Sequence, residues 1–340
     1  MITGGCGYIG SHICASLIET KHEILIIDSL INSYQETYLK IKKIFEDKGI
    51  DSRDKIRFVK GDLRDKRLLD KIFYEYSQNK KPIKSVIHLA GLKSIESSIN
   101  FPLDYWENNV TSTITLLAIM QKYCCYSVIF SSSATIYKSS FFEAVSEKNL
   151  LEPSTPYGKT KLAIEEILRD LFFRDKKKVW KIANLRYFNP VGAHKSGLLG
   201  ENPKRKSANL FPAIIEAIKS KKKKLYIYGD NWPTKDGTCV RDFIHVMDLA
   251  DAHIATLNFL KSNKPQLVSF NIGTGKGTSI LEVVKTFLKI SEYKFSFQFK
   301  EKRLGDQPFV VANNELALEC LDWAPKRELM EMCLDSLNSQ

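Results

Sequence analysis

One short stretch near the start of the chain, Gly4-Gly5-Cys6-Gly7-Tyr8-Ile9-Gly10, constrains the fold more than any other. Gly5, Gly7 and Gly10 have the spacing of a dinucleotide-binding fingerprint, in which a strand turns sharply into a helix. Glycine is required there because a backbone running close beneath a pyrophosphate has no room for a Cβ. The helix that follows then aims its N-terminal amides at the anion. Only Met1, Ile2 and Thr3 precede the glycines, so the first strand is expected to be short or to begin upstream.

Beyond the fingerprint, β-rich runs alternate with amphipathic helical spacing. Strands are predicted at Ile24 to Ile27, Ile56 to Val59, Ser85 to Ala90, Ser127 to Ser131 and Ile182 to Tyr187. Helices are predicted at Ser11 to Thr20, Arg67 to Ser77, Asn109 to Tyr123 and Gly158 to Arg174. Such alternation argues for a Rossmann-type, doubly wound parallel α/β sheet, expected here over residues 1–188. After Asn189 the texture changes to longer loops carrying Gly192, Gly197, Gly200, Pro203 and Pro212. Residues 189–340 are therefore expected to form a smaller mixed α/β substrate domain over the carboxyl ends of the strands. Segments near 240–275 are expected to return to the first domain, with Val268 to Ile272 as a further strand. A length of 340 residues suits two domains of about 150 residues each.

Several classes of function fall away on composition. No run approaches the ~18 apolar residues of a membrane span, and the first ten residues lack the pattern of a secretory signal. A cytoplasmic protein is expected. The seven cysteines are odd in number, sit in apolar contexts such as Cys14, Cys124 and Cys320, and form no metal-ligand spacing. Reduced structural thiols and no metal are expected. The net charge of +12 comes largely from the runs Lys176 to Lys178, Lys204 to Lys206 and Lys221 to Lys224. These lie where elements end and lack interleaved aromatic residues, so they read as solvated loops rather than a nucleic-acid surface. A basic surface does favour an anionic small substrate.

Asp28, at the end of the second strand, can accept hydrogen bonds from both adenosine ribose hydroxyls. Its charge repels a 2′-phosphate, and no Arg follows it closely, so NAD is expected rather than NADP. Asp62, in Gly61-Asp62-Leu63, is placed either beside the adenine or as the N-cap of the next helix. Tyr157 and Lys161 are four residues apart on a predicted helix and share one face. Ser133 ends a strand about two dozen residues earlier. The three can act as one acid–base unit, with Ser133 orienting a substrate hydroxyl and Tyr157 removing its proton. Lys161, together with the positive nicotinamide, would lower the Tyr157 pKa.

The segments GGCGYIGSH, AGLKS, SSSATIY, PYGKTK, LRYFNPVGAH, GTCVRDFIHVMDLADAH and RLGDQP occur in this order across nearly the whole chain. Together they resemble the UDP-glucose 4-epimerases of the extended short-chain dehydrogenase/reductase family. That resemblance implies a retained NAD, transient oxidation at C4 of a UDP-hexose, turnover of the 4-keto sugar, and hydride return to its other face. It places the cofactor on Gly4, Gly7, Tyr8, Ile9 and Gly10, then on Asp28, Ser29, Leu30, Asn32 and Ser33. Further cofactor contacts follow at Asp62, Leu63, Leu89, Ala90, Gly91, Lys93, Asn108, Tyr157, Lys161 and Phe188. It places the UDP-sugar on Lys93, Ser133, Tyr157, Asn189, Asn209 and Leu210, and on Tyr226, Tyr228, Arg241, Arg303, Asp306 and Val310. Arg241 and Arg303 suit a diphosphate, because guanidinium forks match phosphate oxygens. The resemblance also implies a homodimer through the helices near Asn109 to Tyr123 and Gly158 to Arg174.

Two positions depart from the family pattern. Lys138 stands where a loop glycine is usual. Val310 stands where a gate beside the sugar 2-position is expected, and its small side chain implies room for UDP-N-acetylhexosamines. The alternatives are another epimerase, a dehydratase or a decarboxylase of the same family, or an inactive NAD-sensing protein. The dehydratases place an Asp-Glu pair after the strand-end Ser or Thr, whereas Ala134 and Thr135 follow Ser133 here. Inactive relatives lose the Tyr or the Lys, and this chain has both.

Overall fold

The computed structural model describes residues 1–53, 55–138, 143–204, 209–220, 223–292, 294–303 and 305–339. Lys206, Lys221 and Lys222 of the lysine runs, and Leu304 of the RLGDQP segment, lie outside the described residues. The first half contains strands β1 (Ile2–Thr3), β2 (Ile24–Asp28), β3 (Ile56–Lys60), β4 (Val86–His88), β5 (Ser127–Ser133) and β6 (Lys181–Tyr187). Their helices are α1 (Tyr8–Ser16), α2 (Glu36–Asp47), α3 (Lys66–Gln78), α4 (Ile95–Asn100), α5 (Pro102–Tyr105), α6 (Ser112–Lys122) and α7 (Pro156–Arg174). The second half adds β7 (Asn189–Val191), β8 (Lys224–Tyr228), β9 (Val240–Arg241), β10 (Phe243–His245), β11 (Gln266–Ile272), β12 (Thr278–Ser279), β13 (Ser296–Lys300) and β14 (Phe309–Val310). It also contains α8 (Leu210–Lys219), α9 (Val246–Ser262), α10 (Ile280–Ile290), α11 (Glu315–Cys320) and α12 (Leu329–Asn338).

Seven parallel strands form the central sheet in the order β11-β6-β5-β4-β1-β2-β3. Parallel strands buried on both faces read as continuous apolar runs, and every residue of β2 is buried. Alternation then sends Ile24 and Ile26 into the core under α1 and α9, while Leu25 and Ile27 join the opposite core under α3, α6 and α7. Two-residue β1 nevertheless lies centrally, pairing Ile2 with Ile26 on one side and Ile87 on the other. Flanking bonds from Ile87 N to Met1 O and from Gly4 N to Ile27 O prolong its ladders.

Helix boundaries differ from the periodic reading in instructive ways. α1 starts at Tyr8 because Gly7 takes the extended N-cap conformation, and it gives way to a 3₁₀ turn at Leu17–Glu19. The helix predicted from Asn109 is regular only from Ser112, after a wider π-type turn over Trp106–Thr111 that apolar spacing does not reveal. α7 starts two residues early, with Pro156 at its first position and the Thr155 hydroxyl accepting from Gly158 N at 3.2 Å.

Past Asn189 the chain builds short sheets over the carboxyl ends of β1–β6: β10-β7, β12-β9-β14 and β13-β8. Their core packs Phe211 and Ile214 of α8 against Leu225, Ile227, Phe243 and Phe287. Between these pieces β11 joins the central sheet, in register with β6 from Gln266↔Lys181 to Ile272↔Tyr187, and α9 packs against α1. Among the described residues no helix is long and apolar enough to cross a membrane. All seven cysteines are free thiols; Cys14 is buried, but Cys124 and Cys320 are exposed rather than in apolar surroundings.

Candidate functional site

The glycine turn makes a cradle that side chains would fill. A Cβ on Gly10 would lie 2.4 Å from Gly4 O and 2.7 Å from Gly5 Cα. Gly4 has φ +69° and leaves 3.0 Å between its would-be Cβ and Ala90 N, so no larger residue fits without moving the β4 loop. Gly7 caps α1 with no side chain, leaving the first-turn amides at Tyr8 and Ile9 open to an external acceptor. Thr3 Oγ1 accepts from Leu89 N and Ala90 N at 3.1 and 3.2 Å, tying the neighbouring loop to β1. This arrangement fits a pyrophosphate.

Asp28 closes β2 and is nearly buried. Its oxygens accept from Cys6 N (2.9 Å), Leu30 N (2.9 Å) and Ser33 Oγ (2.8 Å), which organises the Ser29–Ser33 turn, where Leu30 takes φ +60°. A carboxylate has about four acceptor sites, so capacity remains for a ligand hydroxyl. Asp62 does not cap α3: Asp65 does, accepting from Arg67 N and Leu68 N. Asp62 instead pairs with Arg64 at 2.7 Å, beside buried Leu63, and the arginine's hydrogen bonds hold its carboxyl below the usual range. Asn108 turns its amide onto Asp104 O. The neighbouring Asn109 points inward, where it bonds Leu92 N and O and reaches Thr160 Oγ1 at 3.1 Å. Its Oδ1 also lies against the loop glycine Gly91.

Tyr157 and Lys161 sit on α7 facing the end of β5. Lys161 is 5% exposed, its Nζ donates to Ser131 O at 2.7 Å, and it lies 4.9 Å from the Phe130 ring centre and 5.8 Å from that of Tyr157. Burial pushes Lys161 down to about 8, against an opposing pull from Glu165. Tyr157 is pushed up to about 12, mainly by desolvation, with a hydrogen bond to Ser133 working the other way. Burial by itself therefore favours the protonated phenol. Ser133 Oγ accepts from Thr135 N at 3.2 Å and Thr135 Oγ1 at 3.0 Å, which fixes its rotamer. Phe188, buried beside β7, packs in one cluster with Ile136 and Tyr137, and Val310, Ala134 and Leu162 pack against it. This cluster brings β14 against the Ser133 turn and α7.

The second half supplies a basic end. β14 lies beside β9, so Val310 pairs with Arg241. Arg241 Nη1 donates to Gln307 O at 2.7 Å, and its Nη2 lies 3.9 Å from Asp306. The Arg303 guanidinium lies 3.7 Å from the Tyr228 ring centre. Burial raises Asp306 while both arginines pull it down. Tyr226, on the same face of β8, is 40% exposed with Lys300 3.9 Å from its ring centre. Asn189 is tied through N to Asp242 O. Asn209 caps α8 just ahead of Leu210 and donates to Glu201, which also meets Lys93 at 3.2 Å. Tyr8 Oη spans to Gly192 O at 2.7 Å.

Sequence reasoning missed Asn109, Glu165, Arg186 and Glu201. Only Glu165 carried a local signal, a carboxylate two turns beyond Tyr157 on the buried stripe of α7. At Lys138 the backbone has no positive φ, and its side chain pairs with Glu152 at 3.0 Å. The turn up to that residue has no need of glycine.

The NAD dependent epimerase/dehydratase family matches residues 1–273. A UDP-glucose 4-epimerase from Bacillus subtilis (strain 168) is 42% identical over 336 residues, covering 99% of this chain and 95% of the relative. Among solved structures, a UDP-glucose-4-epimerase from Stenotrophomonas maltophila with bound NAD and formylated UDP-arabinopyranose superposes with a TM-score of 0.92 at 38% identity, covering 99% and 96% of the two chains. A UDP-glucose 4-epimerase from Bifidobacterium longum in complex with NAD+ and UDP gives 0.91 at 37% identity, covering 100% and 97%.

Proposed function

The chain belongs to the NAD dependent epimerase/dehydratase family, and on that premise we propose that it interconverts UDP-galactose and UDP-glucose by transient oxidation at C4 with NAD bound. The observation that carries this reading is the meeting of Ser133 at the end of β5 with Tyr157 and Lys161 on α7, beside the glycine cradle of α1. Held on the glycine cradle and Asp28, NAD would supply a reversible hydride acceptor for C4, with no net redox change over the cycle.

The chain's own groups do the rest. Tyr157 Oη takes the proton of the sugar 4-hydroxyl and later gives it back, while Ser133 Oγ holds that hydroxyl in line. Lys161 stabilises the phenolate by charge. Arg241 and Arg303 grip the diphosphate, and Tyr228 offers the nucleotide an aromatic face already braced by Arg303. Binding energy taken from UDP positions the reacting carbon and leaves the hexose free to turn. A dehydratase reading has no support at this site, since Ser133 is followed by Ala134 and Thr135, and it is the Thr135 hydroxyl that donates to Ser133 Oγ.

We assign residues 1–188, with the returning β11, to cofactor binding and most of 189–340 to the nucleotide sugar. We place a homodimer interface on the helices near Asn109 to Tyr123 and Gly158 to Arg174, where Ile114 and Phe173 are exposed. The seven free thiols fit the reducing cytoplasm.

Purified protein incubated with UDP-galactose and no added NAD tests the activity. UDP-glucose accumulating to a stable equilibrium, resolved by NMR, is expected. Absence of product even after NAD is added would remove the reading.

A further inference from the structure

We propose that Glu165 is a positioning residue for the Tyr157–Lys161 pair: clamped by Ser132 and Arg186, its carboxylate locks α7 against β5 and sets a negative charge one turn beyond Lys161. Residues 157, 161 and 165 follow one another at four-residue intervals and so share one stripe of the helix. The same stripe carries buried Ile164 and Leu168, surroundings in which a carboxylate is costly unless fully partnered. Glu165 is only 6% exposed and Arg186 4%.

The partners are complete. Arg186 Nη2 donates to Glu165 Oε2 at 2.7 Å and Nε to Oε1 at 3.1 Å, a bidentate pair. Ser132 Oγ adds a third bond at 2.5 Å. Arg186 Nη1 continues to Tyr137 Oη at 2.8 Å, and Tyr137 donates to Asn271 Oδ1 at 2.6 Å. The brace therefore runs from α7 through β5 and β6 to β11. It also gives the three consecutive serines separate tasks. The Ser131 carbonyl holds Lys161, the Ser132 hydroxyl holds Glu165, and the Ser133 hydroxyl meets Tyr157.

A merely structural ion pair would not act on the titrating groups, and this one does. Desolvation drives the proton off Lys161, and Glu165 is the group that opposes it. The other groups facing the pair bring no negative charge at neutral pH. They are the neutral His88 on β4, Tyr105 on α5, the buried phenol of Tyr187 on β6, and Arg186 itself. The carboxylate extends the pH range over which Lys161 keeps its proton, and with it the range over which an ammonium faces the Tyr157 ring.

The test compares Glu165→Gln with wild type by two readouts. The first is the phenolate absorbance of Tyr157 in the NAD-bound enzyme, taken as the difference from the corresponding Tyr157→Phe protein across pH, because burial by itself makes Lys161 titrate below Tyr157. The second is the pH dependence of kcat and KM for UDP-galactose, which rests on the epimerase reading. Both the phenolate titration and the acid limb of kcat are expected to move up by about one pH unit, with KM changed by less than about twofold. Where the single variant fails to fold, Glu165→Gln with Arg186→Met leaves no unpaired buried charge and is expected to move the titration the same way by less. A phenolate titration unmoved in the folded variant overturns the proposal. Wild-type protein that does not convert UDP-galactose overturns the epimerase reading alone, because the absorbance titration still decides the role of Glu165.

Discussion

The division of labour between Tyr157 and Lys161 follows from where water has been removed. Both groups are desolvated, so each disfavours its charged form: the phenol is pushed up to about 12 and the ammonium down to about 8. A reactive phenolate next to an ammonium is then a state that ligand binding must favour, since the protein alone does not hold it. Replacing Tyr157 by Phe removes the proton acceptor while keeping the ring packed against Tyr105. NAD content is expected to stay at the wild-type level, while turnover falls by at least about a hundredfold. Full activity in that protein would show that another group takes the proton. Lys161→Met withdraws the stabilising cation, so Tyr157 ionises at higher pH. The rise of kcat with pH should therefore move upward, and an unaltered profile would count against its electrostatic role.

At the level of elements, the strand–turn–helix of β1 and α1 and the short strand β14 each lend themselves to one decisive change. Gly10→Ala puts a methyl 2.4 Å from Gly4 O, and neither backbone can yield without opening the cradle. The purified variant should carry little NAD, measured by releasing and quantifying the nucleotide; a full complement would mean that the cradle is not the cofactor site. Val310 packs against the cluster of Phe188 and Ile136 and pairs with Arg241. Val310→Tyr should lower turnover of UDP-N-acetylgalactosamine relative to UDP-galactose, and an unchanged ratio removes its assignment as gate. Which of these elements could be read beforehand depended on whether their chemistry was local. The glycine turn, the Asp28 at the end of β2 and the Tyr157–Lys161 spacing are each written within a few residues, and the structure brings them to one end of the sheet. Arg186 and Glu165 come from different elements 21 residues apart. Nothing in the sequence around either one shows that they meet. Asn109 was hidden in the same way, because the wider turn at Trp106–Thr111 rotates it inward and leaves Asn108 on the outer side. The cap of α3 falls to Asp65 because the helix begins at Lys66, four residues beyond Asp62, which pairs with Arg64 instead.

For the molecule as a whole, the exposed apolar side chains of α6 and α7 and the buried histidines make separate predictions. Ile114 on α6 is 50% exposed and Phe173 on α7 72%, apolar side chains that an interface through these helices would cover. Ile114→Glu with Phe173→Glu should convert a dimer into a monomer in sedimentation equilibrium, and a wild-type protein already monomeric would discard the dimer. Acid stability concerns the interior instead. His12, His88, His194, His245 and His253 are all buried, and burial lowers each of them, to about 4 for His12, His194 and His253 and about 3 for His88 and His245. In the unfolded chain they titrate near their ordinary value of about 6.5. Between those limits the unfolded state holds protons that the folded state refuses. Stability from this source is therefore complete above pH 6.5 and lost as pH falls toward 4. Each histidine contributes a slope of up to about 1.4 kcal/mol per pH unit, so five acting together consume a typical stability of 5–15 kcal/mol within roughly two units. The buried carboxylate Asp242 and the partly buried Asp251 and Asp306, raised by desolvation, act with the opposite sign, from an ordinary value of 3.8 that lies below most of this window. Urea midpoints measured from pH 7 to pH 4 should therefore fall steeply through pH 6 to 5. His88→Gln, which keeps a polar group between Thr3 and Thr113, should reduce the slope by one proton. A midpoint independent of pH across that range would mean that these histidines are charged in the folded protein.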